Sequence, residues 1–212
     1  MKLIYAALAI ALMTVLPVGA EETPKSASEF VRRGMARFSA NQIAASIQDF
    51  NRAAELEPAR APHLWQRGIS QYYAGKFVEG RRQFESHQEV NPHDVENATW
   101  HFICVARLEG VEEARKALIE IDTARDTRAP MAEVFQFYAG QGTSEAVLQA
   151  AKKADTEQAS MYAHLYLGLF YEVAGDQEKA RQHIRQSAAA KLHDNYMHDV
   201  AKIHLLQRKW DR

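Results

Sequence analysis

Only one cysteine, Cys104, stands in a chain of 212 residues, so no intrachain disulfide can staple the fold and packing alone must hold it. Proline and glycine are sparse too, at six and ten, which excludes a collagen-like or low-complexity chain. Charge of one sign is also lacking. The 26 Lys and Arg face 27 Asp and Glu, a net charge of −1, and no basic excess marks a nucleic-acid partner. There is no Gly-rich phosphate loop, Ser elbow, close carboxylate pair, HExxH or CxxC, which removes the usual sequence grounds for phosphate, acyl-transfer, glycoside or metal chemistry. What remains is an ordinary globular balance, 25% charged and 47% hydrophobic, with enough apolar residues for one continuous core.

The first twenty residues, MKLIYAALAIALMTVLPVGA, carry one positive charge at Lys2, then an apolar run from Leu3 to Leu16, then Pro17, Val18 and Ala20 before the acidic pair Glu21 and Glu22. That order is the one a secretory signal peptide needs, and the run is short for a bilayer span. Residues 1–20 are therefore expected to be a signal peptide and 21–26 a flexible N-terminus, the rival reading being an uncleaved anchor. No Cys follows the small-residue box, so no lipid anchor is expected. The mature chain is expected in the periplasm or secreted, at a membrane only if the segment stays.

What is present is a repeat. Gly34 and Gly68, Phe50 and Phe84, Pro58 and Pro92 are each 34 residues apart, the period of a tetratricopeptide unit of two helices. With Gly34 at position 8 of the unit, Phe38, Phe50, Ala53 and Pro58 fall at 12, 24, 27 and 32; Gly68, Tyr72, Gly75, Gly80, Phe84 and Pro92 repeat the grid. Small residues at 8 and 20 let two helices approach and the aromatic at 24 fills the groove between them. Pro62 suits a first helical turn, and Asp94 or Asn91 a helix cap.

The third unit is weaker, with Phe102 at position 8, Ala114 and Leu118 at 20 and 24, and Asp126 in place of the terminal proline. Gly168, Tyr171, Gly175, Ala180 and Ile184 restore the pattern, with Asp176 as a cap. From Phe102 to Gly168 is two residues short of two periods, so 129–160 is expected to hold a degenerate hairpin: Met131 to Tyr138, a break at Gly140 and Gly142, then a helix capped by Thr143 and running to about Ala154. The fold expected is an all-α tetratricopeptide solenoid over 27–210, a right-handed superhelix with repeats at 27–60, 61–94, 95–128 and 161–194. A capping helix over 195–210 would turn Tyr196, Val200, Ile203, Leu206 and Trp210 to the array and His198, Asp199, Lys202 and Arg208 to water.

Such arrays bind polypeptides more often than they catalyse. The concave face, at positions 2, 5, 9, 12 and 13, would be lined by Val31, Met35 and Phe38, by Trp65, Ile69, Tyr72 and Tyr73, by Glu96, Thr99, Ile103 and Arg107, and by Tyr162, Leu165, Leu169 and Glu172. Phe38, Trp65, Ile69, Tyr72 and Arg107 are the expected protein-binding groove, because Trp, Tyr and Arg dominate binding energy; the alternative is that several of them pack inside the solenoid. Lys and Asn are absent from positions 5 and 9 of the first two units, so a clamp for a terminal carboxylate is not expected. The nine histidines include His193, His198 and His204, whose five- and six-residue steps do not suit a metal site. No metal, cofactor or catalytic residue is expected. His101 and Cys104 share a helix face and define the alternative, a thiol-dependent redox protein or enzyme; the plainer reading of Cys104, between Ile103 and Val105, is a small core residue.

The repeats, the run FYAGQGTSEAVLQAA and the run YAHLYLGLFYEVAGD together resemble secreted bacterial tetratricopeptide proteins of the NlpI type over nearly the whole mature chain. The resemblance implies a cell-envelope scaffold or adaptor that brings a processing protease to cell-wall hydrolases, as a homodimer. The lipid-bearing Cys of that type is missing here.

Overall fold

The structure, a computed structural model, describes residues 24–211. The expected signal segment lies outside the described residues, as does the start of the expected flexible N-terminus. Among the described residues there are eleven α-helices, two 3-10 turns and no strand, and no helix long and apolar enough to cross a membrane.

Local sequence explains most boundaries. Helix α1 (Ala27–Ser39) begins where the Ser26 hydroxyl accepts the Glu29 N–H. Helix α2 (Ile43–Leu56) runs into a 3-10 turn over Pro58–His63, so Pro62 precedes α3 (Trp65–Tyr73) rather than opening it. Helix α4 (Phe77–Gln88) follows, then α5 (Val95–Glu109), capped by Asp94. Thr143, Thr156, Asp176 and Asn195 cap α8 (Ser144–Ala154), α9 (Glu157–Val173), α10 (Gln177–Ala188) and α11 (Tyr196–Arg208) in the same way. Helix α7 covers Met131–Tyr138, so the helix bounds in the shortened slot are those expected from Gly140, Gly142 and Thr143.

Consecutive helices pack in adjacent pairs, and the small-residue positions set how closely. A Cβ on Gly34 would meet the Phe50 ring at 3.0 Å, one on Gly68 the Phe84 ring at 2.7 Å, and one on Gly168 the Ile184 side chain at 2.7 Å. Three pairs thus solve one packing problem alike: a large side chain on the second helix lies over bare backbone on the first. The α5 pair cannot. Phe102, fully buried, stands where the glycine would be, Gly110 at φ 92° ends α5, and α6 (Val111–Lys116) lasts six residues. Ala114 is buried as expected, but Leu118 falls beyond the helix, in a stretch that continues to Pro130 without an α-helix.

Most of the core is one continuous cluster from Phe38 to Ile203; a small second cluster of Ala27, Phe30, Ala53 and Leu64 joins α1, α2 and the start of α3. Helix α11 departs most from expectation. It packs on α10 and α9 and also reaches α1. Ser39 donates to Asp199 at 2.7 Å and Gln207 to Asn41 at 2.6 Å, so the two ends of the described chain are joined. Being covered from several sides, α11 has no single apolar face: Val200 and Ile203 are buried, but so are His198 and His204, while Leu206 is 46% exposed. Arg208, expected toward water, turns into the interior.

Candidate functional site

The five expected groove residues lie near one another, but not on an open face. Phe38, Ile69 and Tyr72 are 0–1% exposed, whereas Trp65 and Arg107 are half-buried. Helix α11 covers Phe38 and Trp65. The Tyr196 ring stacks on Phe38 at 5.2 Å and meets Trp65 edge-on at 5.3 Å, and Tyr73 hydrogen-bonds His204 Nδ1 at 3.0 Å. Leu165 and Leu169 are fully buried and Tyr162 nearly so. An open groove along all these positions would leave Phe38, Ile69 and Tyr72 in water; the last helix covers Phe38, while Phe77, Trp100 and Glu172 cover Tyr72.

Two ionic clusters lie along this face. The inner one centres on Glu172, 4% exposed. Tyr72 donates to its carboxylate at 3.1 Å, Arg107 pairs with it at 2.5 Å, and Arg208 closes the set from α11. Burial alone would raise the Glu172 pKa; the surrounding positive groups outweigh burial and hold it at about 2. The charge of His204 lowers it most, followed by Arg208 and Arg107; burial takes His204 down to about 4, so at neutral pH only the two arginines face the carboxylate as cations. Arg107 Nε also donates to the Tyr72 hydroxyl at 3.2 Å, and burial pushes that hydroxyl well up. Arg107 is thus a structural partner of Glu172 at the edge of the interior.

The outer cluster centres on Arg128, in the stretch before α7. Its guanidinium pairs with Asp94 and Asp126, each at 2.6 Å, and with Glu96. Asp126 also accepts the Val95 N–H, and Tyr166 donates to Glu96 at 2.5 Å. Beside this cluster lies a cavity of about 160 Å³ lined by Trp65, Phe84, Asp94, Glu96, Asn97, Trp100, Arg128 and Met197. Two of the expected concave-face residues, Trp65 and Glu96, line it, and α11 contributes Met197. Wider hollows of about 420 and 450 Å³ lie over the α8–α9 turn and over the 125–128 loop.

No protein-family model matches this chain. Its site is therefore read from its own geometry.

That geometry weakens the thiol alternative. Cys104 is fully buried, its Sγ 3.1 Å from where a Cβ on Gly80 would lie, and burial pushes its pKa far up, the reverse of an activated nucleophile. His101 turns Nε2 toward Glu85 at 3.5 Å. Nor do the C-terminal histidines gather: His198 bonds the carbonyls of Leu192 and Ala188, and His204 bonds Tyr73. The histidines that do meet are His164 and His183, with Nδ1 atoms 2.8 Å apart. Among the described residues no group of three or more His, Cys, Asp or Glu side chains is placed to hold a metal.

Of the residues lining the small cavity, Trp65 and Glu96 are on the face expected from the sequence, and Arg128, Trp100 and Met197 carry no such expectation. Asp94 had been read only as a cap. Arg128 sits in no repeat helix, so no periodicity points to it; the only hint was Asp126 where the unit's proline should stand.

Proposed function

We propose that the protein is an exported scaffold or adaptor of the cell envelope, a tetratricopeptide-type array of the NlpI kind, which holds a segment of another polypeptide at the mouth of its concave face. One observation carries the reading. Trp65 is a large aromatic side chain left half-buried in the wall of a preformed cavity that Met197 and the Arg128 cluster also line, and a rigid aromatic in a pocket is the kind of residue that dominates protein recognition. The paired helices, the 34-residue spacing and the glycine-to-aromatic packing of Gly34 on Phe50 and Gly68 on Phe84 support the repeat assignment. The signal-like segment supports export. An envelope protease and cell-wall hydrolases are the partners the resemblance suggests.

The site is narrower than the groove read from the sequence. Phe38, Ile69 and Tyr72 serve the interior, and Trp65 is the contact residue. The test is site-specific photocrosslinking in cells from position 65, compared with Arg52, exposed on α2. The reading expects a discrete adduct from 65 and none from 52; the same adducts from both positions, or none from either, reject it.

A further inference from the structure

Helices α9 and α10 are pressed together at one turn, and two imidazoles meet there. A Cβ on Gly168 would lie 2.7 Å from the Ile184 side chain; His164 stands one turn before that glycine and His183 directly before that isoleucine. Their Nδ1 atoms are 2.8 Å apart across the helix pair. The ring centroids, 5.1 Å apart, exceed that separation by no more than the two ring radii, so the nitrogens face each other. The Tyr171 ring stacks on His183 at 5.6 Å and 15° and fixes its orientation. Lys179, the cation beside His183, is engaged by Asp176 at 3.0 Å and by the Tyr171 ring.

The pair is closed by one proton, the Nδ1–H of one ring donating to the other Nδ1. Among the described residues neither ring makes another hydrogen bond. Both are half-buried, and His164 borders the hollow of about 420 Å³ over the α8–α9 turn, which gives water and small ions access. Burial holds both imidazoles below the ordinary 6.5, His164 at about 4. At neutral pH both are therefore in the uncharged form that a metal requires.

The donor set and its spacing select the ion. Two imidazole nitrogens, with no third His, Cys, Asp or Glu grouped with them, suit Cu, Ni or Zn rather than the oxygen-seeking Mg or Ca. Two nitrogens each about 2.0 Å from an ion lie about 2.8 Å apart at a right angle and about 3.3 Å apart at a tetrahedral one. The observed 2.8 Å matches the right angle, neighbouring corners of tetragonal Cu(II). Cu2+ is also the strongest binder of the divalent series.

We propose that His164 and His183 form a copper(II) site on the α9–α10 pair, with water from the adjoining hollow in the remaining positions. Each ring tilts until its Nδ1 lone pair leaves the other nitrogen and turns to the ion. The displaced proton passes through solvent to the same ring's Nε2, so both rings stay neutral and no electron is transferred. Neither histidine lines the cavity beside Trp65, so the site stands or falls apart from the protein-binding reading.

The experiment titrates the protein with copper(II) sulfate at pH 6, where imidazoles of ordinary pKa are largely protonated, and records calorimetry and electron paramagnetic resonance. The expected result is one equivalent bound with a Kd on the order of 10 μM, and a spectrum at half an equivalent split by two imidazole nitrogens. His164→Gln and His183→Gln should each weaken binding at least tenfold and abolish the two-nitrogen pattern. His193→Gln, an exposed histidine outside the pair, should change neither, and excess Mg2+ or Ca2+ should not compete. The nitrogen count is read on the unaltered protein, so the test survives a variant that fails to fold. A spectrum with one nitrogen or none, unchanged affinity in His164→Gln and His183→Gln, or an equal loss in His193→Gln means adventitious binding and overturns the proposal.

Discussion

Gly68 shows how much one missing atom decides. Alanine there would gain roughly 1 kcal/mol of helix propensity, but its Cβ would lie 2.7 Å from the Phe84 ring, and overpacking of this kind typically costs about 1–3 kcal/mol. Gly68→Ala is expected to lower stability in urea unfolding. Phe84→Leu in the same chain should cost less than it does alone, since the two changes relieve one contact; additive losses would place the strain elsewhere. Cys104 is the second residue-scale case. Its burial predicts that a thiol reagent reacts only as fast as the protein opens, with labelling rising in step with denaturant; fast labelling of the folded protein would reinstate the thiol alternative.

At the scale of the element, α11 is held by apolar packing and by one buried carboxylate on α9. Glu172→Ala would leave Arg107 and Arg208 facing each other at the edge of the interior without their counter-ion. Removal of one partner from such a set costs about 3–5 kcal/mol. Urea unfolding of the variant checks the magnitude, and a loss under 1 kcal/mol would mean that α11 is held by packing alone. The elements also mark what could be read from residues. Helices with a Ser, Thr, Asp or Asn cap and an ordinary apolar period were legible, down to Met131–Tyr138 and the Thr143 cap. Helix α6 was not, since Phe102 at the glycine position removes the space a full second helix needs. The course of α11 was not legible either: its period shows that it is amphipathic, but whether it covers α10 alone or turns back to α1 is decided by partners such as Ser39 and Tyr73, more than a hundred residues away.

For the whole molecule, acid is the natural probe. His164 and His204 have folded-state pKa values near 4, below the ordinary 6.5, because burial disfavours their charged forms and, for His164, His183 adds to it. A depressed pKa means that the unfolded chain binds more protons. The stability these groups contribute is full above pH 6.5 and is lost as pH falls through 4. Glu172, held at about 2 against an ordinary 4.5, gives the same sign in a lower window, from about 4.5 down through 2. The urea midpoint should therefore fall steadily from pH 7 to pH 4, and His164→Asn should flatten that slope; an unchanged slope would show that the histidine pair does not titrate with unfolding. The candidate site divides in the same way as the fold. Trp65 and Glu96 were legible because they sit on the repeat grid, while the Arg128 cluster and the covering of Phe38 depend on segments outside that grid.

The bonds from Ser39 to Asp199 and from Gln207 to Asn41 span 160 and 166 residues, and they set the order in which the chain can finish folding. A linear stack of helices with only neighbouring contacts can form piece by piece and fray from either end. Here α1 has its ring partner Tyr196 only after the last helix has been made and docked, so a long loop must close late. Until then Phe38 and Tyr73 stay uncovered, and a chain that has not finished folding presents them to whatever it meets. Folding kinetics should show α11 docking as the slowest phase, followed through quenching of Trp210 beside His204.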